Sequence, residues 1–331
     1  MLKAAVIGLG WWGKHIIRYL KSSDRISIIA AVDTNPVAVH SFAAEYGIPL
    51  TDKFEDVLDD AAVDAVILTT PHGFHEQQVI AAANAGKQVF CEKPLTLTVD
   101  AAERMLRACD DAGIILGIGH ERRYEPALEE IKRRVDAGEA GTLMHIEINC
   151  SYPLFAAEAG SDWRRDPAHA PAGALTALGV HMTDYMQTLA GDATRIYAQL
   201  SDRTRDCPLD DVLAVHLTFA SGATGYLCAI ASTPFHQHIT VFGRRMWMES
   251  REISNVHIPD PAVLSWRIGD GDIESKTYPH ADTFSANLNA WADAVAGRGD
   301  YRFTRHQLLH NVRMIEAIVT STGTGKPVSI P

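Results

Sequence analysis

Five short apolar runs, rich in β-branched residues, punctuate the first 120 positions: residues 4–7, 26–32, 65–69, 88–91 and 114–118. They are nearly continuous in apolar character rather than alternating, which is the pattern of strands buried on both faces. Amphipathic stretches lie between them at residues 12–21, 36–46, 74–85 and 99–112 and predict helices. Gly47, Gly86 and Gly113 follow three of these stretches, as expected where a helix ends in a left-handed residue. Strand and helix in succession predict a doubly wound parallel sheet.

The texture changes after Glu125-Pro126. One more helix, residues 127–137, leads into alternating segments at 143–151, 194–201, 212–219, 224–231 and 238–242. Ser221-Gly222 predicts a hairpin turn between two of them. Helices at 283–296 and 304–322 close the chain. The fold class is therefore α/β: a doubly wound parallel sheet over residues 1–122, then an α+β unit over residues 123–331 with a mainly antiparallel sheet.

Composition narrows the partners. The 331 residues are 47% hydrophobic and 21% charged, as in ordinary globular proteins. A net charge of -11 argues against a nucleic-acid partner, and the pairs Arg122-Arg123, Arg133-Arg134 and Arg244-Arg245 are isolated. No apolar run reaches the ~18 residues that would suggest a membrane span. The opening Met1-Leu2-Lys3 leads straight into the first strand, so no secretory leader is expected. Five scattered cysteines without a CxxC pair fit a reducing compartment and no zinc site. The protein is read as cytoplasmic, without a membrane partner. His236 and His238 share a strand face but lack an acidic partner at ligand spacing, so no metal is expected.

The cofactor signal is Gly8-Leu9-Gly10-Trp11-Trp12-Gly13, placed between the first strand and the first helix. Gly8 permits the tight turn, Gly10 admits a pyrophosphate to the backbone, and Gly13 lets helix and strand approach. The helix N-terminus then offers free N–H groups to the phosphates. Trp11 and Trp12 stand within this cofactor segment, with their side chains expected to pack. Asp33 ends the second strand, where an acid meets a ribose 2′-hydroxyl. Asp33-Thr34-Asn35 holds no cation for a 2′-phosphate, so NAD is favoured over NADP. Thr69, Thr70, Pro71 and His72 end the third apolar run and should line the same crevice, with His75 beside them; both histidines are also candidates to cap the following helix.

Chemistry is signalled at later strand ends. Glu92-Lys93-Pro94 closes the run Gln88–Cys91, and ligands of open α/β sheets sit outside such ends, so these three residues are also candidates to line the cofactor crevice. Glu121, Arg123 and Tyr124, candidate substrate-binding residues, follow the run at 114–118, and His181 stands in a predicted helix of the second unit. A lysine, a histidine and an arginine facing a nicotinamide would bind a hydroxyl-bearing substrate and move its proton. Trp163 and Arg164 precede the His181 helix as candidate substrate contacts, with a plug between domains as the alternative for Trp163.

Taken together, Gly8-Leu9-Gly10-Trp11-Trp12-Gly13, Glu92-Lys93-Pro94, Arg123-Tyr124 and Gly179-Val180-His181 resemble the glucose–fructose oxidoreductase / inositol dehydrogenase / rhizopine-catabolism (Gfo/Idh/MocA) family. The resemblance covers the whole chain, down to Ser321-Thr322-Gly323-Thr324-Gly325-Lys326-Pro327-Val328. It implies a Rossmann domain and a C-terminal domain whose large open sheet makes a homodimer or homotetramer. It implies that Lys93 contacts the reacting oxygen, that Pro94 follows a cis peptide, that Arg123 faces substrate and that His181 is the catalytic histidine. Ala177 departs from the family pattern, which carries an aspartate one turn before the histidine; Glu121 and Asp184 are the candidate replacements. The implied function is NAD(P)-dependent hydride transfer at a carbinol of a sugar, cyclitol or derivative. Alternatives are a dehydrogenase of a hydroxy or dihydrodiol carboxylate, NAD-dependent glycoside cleavage, and a non-catalytic NAD-sensing regulator.

Overall fold

The computed structural model describes residues 1–154, 166–204, 210–252 and 259–331. They group into two compact units, residues 1–121 with 282–312 and residues 122–281 with 313–331. The first unit begins β1 (Leu2–Ile7), α1 (Trp11–Leu20), β2 (Ile26–Val32), α2 (Pro36–Glu45), β3 (Leu50–Thr51), α3 (Phe54–Asp59), β4 (Ala65–Leu68), α4 (His75–Asn84), β5 (Gln88–Cys91), α5 (Val99–Ala112) and β6 (Leu116–Ile118). All six strands are parallel, in the order β3-β2-β1-β4-β5-β6. The order reverses between β1 and β4, the switch point at which such sheets open a ligand crevice. Ala4, Ala5 and Val6 of β1 and all of β4 are fully buried, as a sheet covered on both faces requires. Helix α1 packs Gly13, Ile16, Ile17 and Leu20 inward, and α5 is capped by Thr98 at its start and left-handed Gly113 at its end.

Two local departures from the sequence pattern have physical causes. The run at 114–118 forms a strand only over Leu116–Ile118, because the Gln88 side chain takes the Ile115 N–H (2.8 Å). The helix expected from residue 74 starts with a 3-10 turn, His72–Phe74, before α4.

The second unit contains α6 (Pro126–Asp136), β7 (Leu143–Ser151), α7 (Val180–Ala190), β8 (Ala193–Ser201), β9 (Val212–Phe219), β10 (Thr224–Ile230), β11 (His236–Gly243), β12 (Met246–Glu252), β13 (Ala262–Ile268) and β14 (Ile273–Tyr278). With β15 (Val328–Ser329) they form a nine-stranded sheet, β14-β13-β12-β11-β7-β10-β9-β8-β15. Among the described residues every pairing in it is antiparallel except β7 with β10. Ile146, Ile148 and Cys150 alternate inward on β7, as do Leu213, Val215, Leu217 and Phe219 on β9, while His216 and Thr218 are exposed. The Tyr185 hydroxyl of α7 donates to the Leu128 carbonyl of α6 (2.8 Å) and joins these two helices. The β9–β10 hairpin turns at Gly222, whose φ of +86° supplies the conformation that the predicted turn needs.

The last helices are α8 (Thr283–Val295) and α9 (Arg305–Thr324). A division at 122/123 puts α8 with the antiparallel sheet, yet it groups with the parallel one. Trp291 is fully buried against Phe90, with ring centroids 5.5 Å apart, and donates to the Ile115 carbonyl (3.0 Å). Asn287 donates to the Ile118 carbonyl (2.8 Å), so α8 supplies partners at both ends of β6. In the second unit, Ser321 accepts the Ala198 N–H (2.9 Å) and donates to the Lys326 carbonyl (2.7 Å), which fixes the approach to β15.

Candidate active site

The glycine loop is built as its sequence predicts. Gly8 has a φ of +93° and donates to the Val32 carbonyl (2.8 Å). The Thr69 hydroxyl reaches the Gly8 and Ile7 carbonyls at 2.6 and 3.0 Å, so Thr69 holds the loop to the end of β4. A Cβ on Gly13 would lie 2.0 Å from the Gly8 carbonyl oxygen, whereas one on Gly10 would meet nothing within 4 Å. Gly10 caps α1 without a side chain, and no acid stands in the first turn, which leaves that end suited to an anion. Asp33 accepts the Leu9 N–H at 2.7 Å and the Asn35 N–H at 2.9 Å, which aims its carboxylate at the same loop. Open space over Gly10, a helix end with no side-chain cap and a fixed carboxylate fit a dinucleotide. Trp12 packs edge-on against Phe284 (4.8 Å), and Trp11 stacks on Trp12 (5.1 Å) while half exposed.

The lysine loop extends β5. The Glu92 N–H donates to the Leu68 carbonyl and the Gly119 N–H to the Cys91 carbonyl, both at 2.9 Å. The buried Glu92 carboxylate accepts the Lys93 N–H (3.2 Å), and a Cβ on Gly119 would lie 2.5 Å from it. Gly119 is thus glycine because Glu92 occupies the space of a side chain. The Lys93–Pro94 peptide is cis and Lys93 is half-buried. His75 is 0% exposed, with Nδ1 3.0 Å from the Pro94 carbonyl and 3.2 Å from that of Leu95, and Nε2 3.0 Å from the Thr70 carbonyl. Any part it has in cofactor binding is therefore indirect. Burial pushes its pKa below the usual value, against the pull of the three carbonyls. The Thr70 hydroxyl donates to Gln78 (2.6 Å), Pro71 starts the 3-10 turn, and His72 in that turn is buried. Glu121 is buried as well. Burial, then the charges of Asp282 and Glu121, raise the Tyr19 hydroxyl pKa.

In the second unit Arg123 grips Asp184 with a two-pronged contact, Nε to Oδ2 at 2.7 Å and Nη2 to Oδ1 at 2.5 Å. Gln187 adds a third hydrogen bond to Asp184 (3.0 Å), and the paired side chains are 4% and 3% exposed. Asp184, a candidate replacement for the missing aspartate, is thus held by arginine. His181 is buried in the first turn of α7, which a π-helical turn, Leu175–Gly179, precedes. Ala177 stands half-buried in that turn, and Tyr124 is half-buried too. Trp163 and Arg164 lie outside the described residues. His238 lies 3.1 Å from His236 and 3.8 Å from Glu147, a neighbour that strand pairing supplies and sequence spacing does not show. Among the described residues no group of three or more His, Cys, Asp or Glu is disposed to hold a metal.

Residues 2–120 match the oxidoreductase family with an NAD-binding Rossmann fold, and residues 128–249 match the Gfo/Idh/MocA C-terminal domain. A D-xylose 1-dehydrogenase (NADP(+)) of Haloferax volcanii is 30% identical over 318 residues, 96% of each chain. The chain belongs to the Gfo/Idh/MocA oxidoreductase family. Another Gfo/Idh/MocA relative, the scyllo-inositol 2-dehydrogenase (NAD(+)) of Bacillus subtilis, is 30% identical over 72% of this chain and 70% of its own. The crystal structure of aldose-aldose oxidoreductase from Caulobacter crescentus, complexed with glycerol, superposes with a TM-score of 0.88 at 25% identity over 99% of both chains. As a Gfo/Idh/MocA member the protein is an NAD(P)-dependent oxidoreductase. Among the described residues no helix is long and apolar enough to cross a membrane.

Proposed function

We propose that this Gfo/Idh/MocA enzyme is a dehydrogenase of sugars or cyclitols, moving a hydride between a carbinol carbon and nicotinamide, with NAD preferred. The observation that carries the reading is Lys93, at the C-terminal end of β5 in the sheet whose β1 leads into the glycine loop. A bound nicotinamide supplies the hydride acceptor on oxidation and the donor on reduction. The Lys93 ammonium donates a hydrogen bond to the substrate oxygen and stabilises the negative charge that develops there. His181, assigned by resemblance, takes the hydroxyl proton. The relatives named for D-xylose and scyllo-inositol act on polyhydroxylated compounds, which supports that substrate class. Support for NAD comes from Asp33, a carboxylate that would repel a 2′-phosphate, with no cation in Asp33-Thr34-Asn35. Because a named relative uses NADP(+), the preference needs its own test. A cytoplasmic location and a homo-oligomer joined through the nine-stranded sheet complete the proposal.

The test follows reduced-nicotinamide absorbance with D-xylose and scyllo-inositol, each with NAD(+) and NADP(+). Turnover is expected, with the higher kcat/KM for NAD(+). Lys93→Met should lower kcat by about 10²–10⁴-fold and leave NADH affinity nearly unchanged. No turnover of either polyol with either cofactor would sink the substrate reading. Wild-type kcat in Lys93→Met would remove the lysine from the chemistry, and a higher kcat/KM with NADP(+) would reverse the cofactor preference.

A further inference from the structure

His75 is spaced 18 residues from Lys93 in the sequence, yet its ring touches the loop that carries the lysine. It is the first residue of α4, a helix packed on α5 and β5, so the ring rides on a rigid element. Both nitrogens meet backbone carbonyls: Pro94 and Leu95 beyond β5, and Thr70 beyond β4. Each strand end belongs to the crevice-facing edge of one sheet, with Thr69 fastening the glycine loop one residue before Thr70. We propose that His75 is the positioning residue of the Lys93 loop, a clamp that fastens the segment after β5 to the first turn of α4.

The ring chemistry sets a direction. A neutral imidazole carries one N–H. Placed on Nδ1, that proton is shared between the Pro94 and Leu95 carbonyls, and one lone pair faces Thr70. Placed on Nε2, it satisfies Thr70 alone and leaves the lone pair against two carbonyls. The Nδ1–H form therefore holds the lysine loop. Asparagine presents its amide nitrogen where Nδ1 stands, and phenylalanine keeps the ring volume without a donor. The pair His75→Asn and His75→Phe separates the hydrogen bond from the packing.

The inference rests on the proposed role of Lys93, so the first measurements need no turnover. Histidine ¹⁵N spectra of the full chain should show His75 neutral with its proton on Nδ1; a proton on Nε2 would overturn the clamp. Amide exchange over residues 92–96 should rise at least about tenfold in His75→Phe, a loss of about 1.4 kcal/mol of local protection, and return towards wild type in His75→Asn. Unchanged exchange in His75→Phe would overturn it, as would equal losses in both variants. With D-xylose and NAD(+), kcat should fall about 10²-fold in His75→Phe, the cost of displacing a reacting group by about an ångström. NADH affinity should hold, and His75→Asn should restore most of kcat. Lys93→Met, assayed beside them, judges the lysine independently: full turnover there defeats the catalytic reading while the exchange data still decide the clamp.

Discussion

Arg123 and Asp184 bury opposite charges together, and a buried ion pair is fragile in one direction only. Removing both charges with good repacking can be neutral, but removing one strands the other away from water. Asp184→Asn should therefore destabilise the protein by about 3–5 kcal/mol in urea unfolding; a loss below about 1 kcal/mol would show that water reaches the pair. Arg123→Lys should not rescue function or stability, because an ammonium cannot make the two-pronged contact. Neither partner was legible as such in the sequence. They stand 61 residues apart, and the family resemblance casts Arg123 as a substrate ligand. Lys93 was legible because a strand, an acid and a proline frame it locally. His75 was not, since its partners are main-chain carbonyls, which no side-chain pattern announces.

At the scale of elements, the β1–α1 junction separates packing from ligand space. Gly13 is closed by the Gly8 carbonyl and Gly10 is open. Gly10→Ala should keep stability within about 1 kcal/mol, the difference between N-cap residues, while weakening NADH at least about tenfold, or about 1.4 kcal/mol. Gly13→Ala should lose about 1–3 kcal/mol of stability from overpacking and lose NADH binding as well. Thermal melting and NADH fluorescence titration of both variants check this; equal behaviour would deny the distinction. Strands β1, β4 and β5 read clearly because burial on both faces leaves little polar interruption, and β2, partly buried along its middle, reads through its run of apolar residues. Strands β12, β13 and β14 leave no such pattern. They carry Glu249, Arg251, Arg267, Glu274 and Lys276, and β14 is an exposed edge whose charges discourage further pairing. The two-residue β3 is too short to leave a period.

For the whole molecule, the first unit is discontinuous in sequence. Its core is finished by α8, through Trp291 against Phe90 and through donors to the Ile115 and Ile118 carbonyls. Sequence order placed α8 with its neighbours along the chain, because an amphipathic helix does not state which sheet it covers. We propose that residues 1–122 alone are not an autonomous domain. A fragment of that length should show neither a cooperative melt nor NADH binding, and Trp291→Ala in the full chain should cost about 3–5 kcal/mol. A well-folded, NADH-binding fragment would overturn the proposal.

The same discontinuity bears on synthesis. When residue 122 has been added, about 170 residues must still be translated before α8 is complete, a wait on the order of ten to thirty seconds at ordinary elongation rates. During that interval Phe90 and the β6 segment lack the cover that Trp291 and Asn287 give them in the finished chain. The dinucleotide-binding half is thus the first begun and among the last completed.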